Sequence, residues 1–260
     1  MSIEPNTFPK VSIITVCFNS ETTIRDTLES VLSQDYPNIE YIIIDGGSTD
    51  KTLVIIKEYK DRIAQIISEK DRGIYDAMNK GIQLATGEIV GMLNSDDTYI
   101  NKSAITELIQ AMLEAKTDSI FADLIIVDAK KPNQVLRLYD SSQFAPHKFK
   151  FGWMPAHPTF FTKKNVYDTV GPYSLNYQIS ADYEMLVRIL WVHKTSYTYF
   201  PQVLVKMKSG GTSTSGLSRN LLLNQEIVRA CRANGINTNL GILMLKIPQK
   251  LSGILKARLG

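Results

Sequence analysis

The sequence EIVGMLNSDD, at positions 88–97, joins a continuous apolar run to two adjacent carboxylates. A short apolar run of this kind is typical of a β-strand that is buried on both faces of a parallel sheet. The four residues after Leu93 favour a turn at the end of that strand. We therefore predict a buried strand whose carboxyl end presents the side chains of Asp96 and Asp97.

The segments that precede this strand follow the same pattern. Three apolar runs are predicted as strands: VSIITVCF (11–18), EYIIID (40–45) and AQIIS (64–68). Apolar residues recur at helical spacing between them, as at Ile24, Leu28, Val31 and Leu32. Strands that alternate with helices at this spacing indicate an α/β fold with an open, mostly parallel, doubly wound sheet.

The second half of the chain has a less regular pattern. SIFADLIIVD (119–128) is predicted as a strand, and ADYEMLVRILWVH (181–193) as a helix with two carboxylates in its first turn. YTYFPQVLVKMK (197–208) is predicted as a strand at a sheet edge, because Pro201 has no amide to donate to a neighbour. KSGGTSTSG (208–216) has the composition of a loop.

Composition and charge exclude several classes of protein. With 260 residues, 44% of them apolar, the chain can form one large α/β domain or one domain with a small appendage. The net charge of +3 gives no case for nucleic-acid binding. Two distant cysteines form no disulfide framework, and the first ten residues do not have the pattern of a signal peptide. A cytoplasmic protein is therefore predicted.

The C-terminal segment is basic. Six basic residues and no acidic residue follow Glu226. We predict a main domain over residues 1–225 and a basic, amphipathic, helical tail over residues 226–260. The tail either packs on the domain as an ordinary helix or binds the anionic inner face of the cell membrane.

Polar residues collect where the predicted strands end. Asn19, Asp45 and Asp71 follow the first three strands, and Asp96-Asp97 follows the fourth. In sheets of this type, ligands bind at the carboxyl ends of the strands. Asp45 is either a ligand for a ribose or nucleobase or simply the residue before a glycine turn.

The carboxylate pair is the candidate metal site. Mg²⁺ and Mn²⁺ prefer oxygen ligands, commonly one or two carboxylates together with phosphate oxygens. Asn94-Ser95-Asp96-Asp97 taken alone is better explained as a turn than as a metal site. The setting at the carboxyl end of a buried strand favours the metal site.

Three other positions leave structural alternatives open. Arg72 is either a contact for a diphosphate or an exposed loop charge. His157 is either the wall of a sugar pocket or a packed core histidine. Asp182 is either a general base or a carboxylate favoured at the start of a helix.

The order of the motifs resembles glycosyltransferase family 2, and in particular the bacterial enzymes of O-antigen, capsule and exopolysaccharide assembly. The resemblance covers roughly residues 10–215 and is carried by five segments: IITVCFNS, YIIIDGGSTD, DRGIYDAMNKGIQLATGEIVGMLNSDD, WMPAHPTFF and ISADYEMLVRI. It implies the GT-A fold and inverting transfer from a nucleotide sugar. It also implies, as acceptor, a hydroxyl of a glycan linked to polyprenyl diphosphate, and hence work at the cytoplasmic leaflet.

The resemblance implies roles for individual residues. Asp97 would coordinate Mn²⁺ or Mg²⁺ with Asp96 beside it, and Asp182 would be the catalytic base. The nucleotide, for which UDP is expected, would be bound by Val16, Phe18, Asn19, Asp45, Asp71, Arg72, Asn79 and Asp96. Trp153, His157 and Glu184 are the residues expected for the acceptor and sugar pocket. SGGTST resembles the loop that closes over the diphosphate.

Two positions depart from the family pattern. Ala181 stands where many members have a second carboxylate, and Met78 stands where many have an arginine before Asn79. A sugar nucleotidyltransferase is a rival prediction, but the chain lacks the glycine-rich, basic loop after the first strand that such enzymes usually need. A nucleotide-sugar-binding module with weak catalysis is the second alternative.

Overall fold

The computed structural model describes residues 8–210 and 217–246. Its strands are β1 (Val11–Cys17), β2 (Ile39–Asp45), β3 (Gln65–Ser68), β4 (Ile89–Met92), β5 (Asp97–Tyr99), β6 (Ser119–Val127), β7 (Val135–Tyr139), β8 (Phe161–Lys163) and β9 (Tyr197–Lys208). Its α-helices are α1 (Ile24–Leu32), α2 (Thr52–Lys57), α3 (Ile74–Leu84), α4 (Ala104–Ala115), α5 (Lys164–Val170), α6 (Ala181–Val187), α7 (Leu217–Ala233) and α8 (Leu240–Leu243).

The strands form one mixed sheet in the order β3-β2-β1-β4-β8-β6-β9-β5, with β7 paired to β6. The first four strands are parallel, and they are the strands predicted from the alternating sequence pattern. β8 is antiparallel to both β4 and β6. The predicted α/β fold is therefore confirmed, with its parallel part confined mainly to the first half of the chain.

Both faces of the sheet are covered, which explains the continuous apolar runs. The side chains of β1 alternate between two core clusters. Ile14 and Val16 pack in the cluster that contains α3 and α6, whereas Ile13 and Cys17 pack in the cluster that contains α1 and α4. A strand of this kind has no solvent-facing side that would require polar residues.

A glycine in β4 allows close contact with β8. Gly91 pairs with Phe161, and a Cβ atom at position 91 would lie 2.2 Å from the Phe161 ring. Any larger residue would displace that ring. The antiparallel crossover from the first half of the sheet to the second therefore depends on glycine at this position.

β9 lies inside the sheet, so the prediction of an edge strand was wrong. It pairs with β6 on one side and with β5 on the other. The register passes from Ala122–Phe200 to Asp123–Val203, which leaves Pro201 and Gln202 outside the ladder. This bulge places the proline in solvent, where its missing amide costs no hydrogen bond.

The predicted boundary between residues 225 and 226 falls inside α7. Ile227, Ala230 and Cys231 of this helix, and Leu243 of α8, are buried in the same cluster as α6. Residues 226–243 are therefore packed on the domain, and the predicted tail beyond Lys246 lies outside the described residues. Within residues 8–210 and 217–246, no helix has the length and apolar character needed to cross a bilayer.

Candidate active site

The loops that follow β1 and β2 are bonded to each other at the carboxyl end of the sheet. The amide of Asn19 donates to Ser48 Oγ at 2.8 Å, and the amide of Thr49 donates to Asn19 Oδ1 at 2.9 Å. Asn19 has a left-handed φ of 49°, which asparagine adopts more readily than most residues. Phe18 is 61% exposed next to it, whereas Val16 is buried. Phe18 and Asn19 are therefore accessible to a ligand, and the side chain of Val16 is not.

Asp45 is fully buried at the end of β2, and its carboxylate is bonded within the protein. Oδ2 accepts hydrogen bonds from the amides of Gly47 and Ser48 and from Ser68 Oγ, at 3.2, 3.0 and 2.7 Å. Oδ1 accepts from the Ser48 hydroxyl. These bonds form the turn after β2. Asp45 supports that turn and has no exposed surface with which to contact a base or ribose directly.

Asp71 lies against the turn that Asp45 supports. A Cβ atom at Gly46 would be 2.6 Å from Asp71 Oδ2, so only glycine permits this approach. Asp71 Oδ1 also accepts from the amide of Gly73 at 2.8 Å, immediately before α3. The side chain of Arg72 is 76% exposed and pairs with Asp76, with its Nη2 3.0 Å from Asp76 Oδ1. The carboxylate of Asp71, rather than the cation of Arg72, lies at the strand-end turn.

Asn79 is used to hold a neighbouring segment. Its Nδ2 donates to the carbonyl of Tyr173 at 2.9 Å, and its Oδ1 accepts from the amide of Tyr173 at 2.7 Å. Both ends of the side-chain amide are thus occupied, in a pairing that resembles one step of a β-ladder. Arg72 and Asn79 both line a groove of about 570 Å³ between α3 and residues 172–175. Asn79 lines that groove and fixes its wall through one N–H and the amide oxygen.

Asp96 and Asp97 differ in exposure. Asp97 is 1% exposed, and its Oδ1 has no hydrogen-bond partner within residues 8–210 and 217–246, while Oδ2 lies 3.5 Å from Asn94 Nδ2. Burial, reinforced by the charge of Asp96, raises the pKa of Asp97 well above its ordinary value. Asp96 is partly exposed, and burial raises its pKa to a lesser extent. Two adjacent, desolvated carboxylates with an unpartnered oxygen are the arrangement that a bound cation stabilises.

The carboxylate pair would supply only part of a metal shell. Within the described ranges 8–210 and 217–246, no group of three or more His, Cys, Asp or Glu side chains could hold a metal ion. A hard divalent cation commonly takes one or two protein carboxylates and completes its shell with water and phosphate oxygens. The donor set at Asp96-Asp97 fits a cation that is bound together with a phosphorylated ligand.

Lys208, which the sequence did not single out, supplies positive charge to this pair. β9 ends at Lys208, next to Met207, which is the partner of Asp97 in the β5–β9 ladder. The charge of Lys208 lowers the pKa of both Asp96 and Asp97, against the larger effect of burial. Its Nζ lies 2.8 Å from Asp26 Oδ2, and the side chain is 19% exposed. Only the pairing of β5 with β9 brings this lysine to the carboxylates.

Asp182 is the second residue of α6 and is partly exposed. Its Oδ1 accepts from the amide of Tyr183 at 2.8 Å and lies 3.4 Å from the hydroxyl of Tyr75, on α3. Oδ2 has no hydrogen-bond partner among the residues that the structure describes. Burial raises the pKa of Asp182, and the nearby His157 opposes this effect. A carboxylate with one anchored oxygen, one free oxygen and a raised pKa is suited to accept a proton near neutral pH.

His157 is a packed histidine behind Asp182. It is 8% exposed, and its Nε2 is 2.8 Å from the hydroxyl of Tyr173. Burial lowers the pKa of His157, so the ring is neutral at pH 7. Tyr173 also stacks on Tyr75 with ring centroids 6.0 Å apart. The contacts of His157 are therefore those of a packed core histidine. The influence of His157 on Asp182 is electrostatic.

The other two predicted pocket residues have separate environments. Trp153 is partly buried and stacks on Phe144, with ring centroids 5.6 Å apart. Glu184 is 6% exposed and pairs with Arg188 through Oε1 at 2.8 Å, while its Oε2 has no partner in the described part of the chain. Arg188 also donates to the carbonyls of Val170 and Pro172. Glu184 therefore anchors α6 to the loop after α5 and has little surface for a sugar.

Comparison with known proteins identifies the family. The family model described as Glycosyl transferase family 2 matches residues 12–174, which is more than half of the chain. The chain belongs to glycosyltransferase family 2. The enzyme is also 26% identical over 241 residues to a PGL/p-HBAD biosynthesis glycosyltransferase of Mycobacterium bovis, across 91% of its own length and 88% of that protein. An uncharacterised glycosyltransferase of Mycobacterium tuberculosis is 30% identical over 182 residues, across 69% and 68% of the two chains.

Solved structures of two other transferases share the fold of this glycosyltransferase. Residues 1–349 of Staphylococcus aureus TarS, in complex with UDP-GlcNAc, superpose with a TM-score of 0.66 at 17% identity, over 94% of this chain and 73% of that one. The mannosyltransferase PcManGT of Pyrobaculum calidifontis, in complex with GDP-Man and Mn²⁺, gives 0.66 at 18% identity, over 98% and 76%. The chain covers 49% of a longer TarS structure.

Helix α3 connects the two halves of the candidate site. Asp71 precedes this helix and lies on the strand-end turn, and Tyr75 in its first turn reaches Asp182. A further hydrogen bond between the hydroxyls of Ser20 and Ser95, at 2.8 Å, ties the loop after β1 to the turn that carries the carboxylate pair. Four contributors to the site were not predicted: Ser20, Tyr75, Tyr173 and Lys208. The loop predicted at 208–216 is described only as far as Gly210.

Proposed function

We propose that this glycosyltransferase moves a hexosyl group from a nucleotide sugar to an acceptor hydroxyl, with inversion at the anomeric carbon. The observation that supports the proposal best is the arrangement of Asp182, which has one anchored oxygen and one free oxygen beside the helix that begins at the strand-end turn. A base placed in this way suits a single displacement.

The donor nucleotide is proposed to lie over the carboxyl ends of β1, β2 and β4. Phe18 and Asn19 offer accessible surface to a base, and Asp71 lies beside the turn at Gly46. UDP is the proposed nucleotide, and the UDP-GlcNAc complex of TarS is consistent with that choice. Asp45 has the indirect role of holding the turn. Lys208 is proposed to add positive charge near the diphosphate.

We propose that Asp96 and Asp97 hold Mn²⁺ or Mg²⁺, as suggested by the Mn²⁺ complex of PcManGT. When bound, the cation would neutralise charge that develops on the nucleoside diphosphate leaving group. The difference in exposure favours Asp96 as the ligand that faces the donor, with the buried Asp97 behind it. This division of roles is the reverse of the one expected from the sequence.

In the proposed reaction, Asp182 takes the proton of the acceptor hydroxyl as its oxygen attacks the anomeric carbon. The bond from that carbon to the diphosphate oxygen breaks, and the nucleoside diphosphate leaves with the electron pair. The amide of Tyr183 holds Oδ1, and this leaves Oδ2 free to face the acceptor. General-base assistance of this kind contributes roughly 10²- to 10⁴-fold in rate.

A thermal-shift screen tests the donor and metal assignments. Nucleotide sugars are offered with Mn²⁺, with Mg²⁺ and with EDTA. A donor at 100 times its Kd should stabilise the native state by about 2.7 kcal/mol, and only when the metal is present. Sugar transfer to a lipid-linked acceptor with the same donor completes the test. Binding without transfer would favour a nucleotide-sugar-binding module, and formation of a nucleotide sugar from a sugar phosphate would favour a nucleotidyltransferase.

The acceptor is proposed to be a glycan of a bacterial surface polysaccharide linked to polyprenyl diphosphate, reached at the inner face of the membrane. An exposed apolar surface at the end of the described chain supports this. Leu240, Met244 and Leu245 are 45, 58 and 65% exposed. Lys246, Lys250, Lys256 and Arg258 follow in the sequence. Apolar side chains next to cationic ones are typical of a segment that lies in an anionic membrane surface.

Substituting Met244→Glu should reduce membrane binding. We expect roughly tenfold weaker flotation with vesicles that contain anionic lipid, because an apolar side chain is lost and a like charge is brought to the surface. The matched control is Leu221→Glu, at a leucine of α7 that is 53% exposed. Equal flotation of wild type and Met244→Glu, or equal loss in both variants, would contradict a specific contact through this surface.

A further inference from the structure

Glu226, in the middle of α7, has a buried carboxylate with several donors. The residue is 4% exposed. Its Oε1 accepts from the amide of Gln178 at 2.8 Å, and its Oε2 accepts from the amides of Ile179 and Ser180 at 3.0 and 3.1 Å. The Ser180 hydroxyl donates to Oε2 as well, at 3.0 Å. Four donors on one carboxylate form a binding site for the main chain of residues 178–180.

The segment that Glu226 holds leads directly into the proposed base. α6 begins at Ala181, and Asp182 is its second residue. On the opposite side, the hydroxyl of Tyr75 donates to the carbonyl of Ile179 at 2.6 Å. Residues 178–180 are therefore held between α7 and α3. Any shift of this segment would move the backbone from which Asp182 projects.

α7 is well placed to act as a rigid support. Ile227, Ala230 and Cys231 bury one face of the helix in the core cluster that also contains α6. Cys231 Sγ lies 3.2 Å from the hydroxyl of Tyr183, the residue that follows Asp182. Hydrogen bonds from amides to a carboxylate are about twice as strong as neutral ones. Packing thus fixes α7 in place. Because the Glu226 carboxylate is bonded to residues 178–180, the position of α7 determines the position of that segment.

We propose that Glu226 is a positioning residue for Asp182, and that this C-terminal helix is part of the catalytic unit. The inference rests on the proposed function in one respect, which is that Asp182 is the base. Glu226 acts through the main chain and touches neither donor nor acceptor. Its loss should therefore lower turnover and leave donor affinity unchanged.

The first measurement needs no substrate. Glu226→Gln keeps the size of the side chain but removes its charge and replaces one acceptor oxygen with an NH₂ group. That group must face either the amide of Gln178 or the three donors that Oε2 accepts in the wild type. Hydrogen exchange of the amides of residues 178–180 should become about tenfold faster, since charge-assisted hydrogen bonds are lost. Gln225→Ala, at an exposed neighbour on the same helix, is the control and should not change this exchange. Unchanged exchange in Glu226→Gln would overturn the proposal.

The second measurement separates positioning from general destabilisation. A displacement of about 1 Å at a reacting group can cost about 100-fold in rate. For Glu226→Gln we expect kcat to fall at least tenfold, while the Kd of the donor with Mn²⁺ stays within about twofold of wild type. Ser180→Ala removes one of the four donors and should give a smaller loss in the same direction. If Glu226→Gln folds poorly, this milder variant decides the question.

Several outcomes would overturn the inference. Unchanged kcat in spite of faster exchange would show that the hydrogen bonds of Glu226 to residues 178–180 do not position Asp182. A parallel loss of donor affinity and kcat would indicate a structural role only. If the wild-type protein transfers no sugar, the proposed function fails, whereas the exchange data still decide whether Glu226 holds residues 178–180.

Discussion

Replacing Asp182 with asparagine is expected to lower kcat for sugar transfer by roughly 10²- to 10⁴-fold, without a change in the Kd of the donor. Asparagine keeps the size of the side chain and can still accept from the amide of Tyr183, so the fold of α6 should be retained. The lost function is proton acceptance by the free oxygen. Single-turnover transfer assays, together with donor titration by calorimetry, measure the two quantities separately.

The pH profile gives an independent check of the same residue. Burial raises the pKa of Asp182, and a base is active only when it is deprotonated. Activity should therefore be lost as the pH falls through a pKa that lies above the ordinary value of an aspartate. Asp168→Asn, at an exposed carboxylate of α5, should leave both rate and profile unchanged. Full turnover in Asp182→Asn would exclude Asp182 as the base.

Asparagine at either position of the carboxylate pair should weaken metal binding, and at position 97 it should also stabilise the metal-free protein. Asp96→Asn is expected to weaken metal-dependent donor binding by roughly 10- to 100-fold and to leave the free energy of unfolding little changed, since Asp96 is partly exposed. Asp97→Asn should also weaken metal binding. In the absence of metal, however, it should stabilise the protein at neutral pH by about 1 kcal/mol, because it removes a buried charge with an unpartnered oxygen.

The sign of the stability effect follows from linkage. The pKa of Asp97 is raised in the folded state, so its ionisation destabilises the fold above the pKa of the unfolded chain. The advantage of Asp97→Asn should therefore vanish as the pH falls below that of an unfolded aspartate. Thermal unfolding from pH 3 to pH 8 with EDTA tests this, with Asp61→Asn, at an exposed residue, as the control. A destabilised Asp97→Asn variant at pH 8 would contradict the assignment.

The parts of the fold that were predictable share one property. β1, β2, β3 and β4 lie within a residue or two of the predicted runs, because these parallel strands need apolar side chains over most of their length. β5 and β8 are only three residues long and have no period to detect. Pro201 led to the prediction of an edge strand. A proline is tolerated either at a sheet edge or in a bulge, and the local sequence does not distinguish the two.

The location of the candidate site was predictable from the sequence, but the roles of its individual residues were not. The sequence grouped Asn19, Asp45, Asp71 and Asp96-Asp97 at the strand ends, which is where the structure has them. It did not indicate that Asp45 and Asn79 direct their polar atoms to the main chain. A carboxylate or amide that stabilises a turn has the same local sequence as one that contacts a ligand, because the difference depends on where neighbouring segments lie.

The order of apolar runs and polar strand ends in the chain was therefore sufficient to determine the α/β fold and the general position of the candidate site. These features depend on local propensity and on burial, which are encoded over a few consecutive residues. The tertiary structure alone brings Lys208 to the carboxylate pair, Tyr75 to Asp182 and Glu226 to residues 178–180. Each of these contacts joins residues between 46 and 112 positions apart. Contacts of this range arise from packing of whole elements, for which a single sequence contains no local pattern.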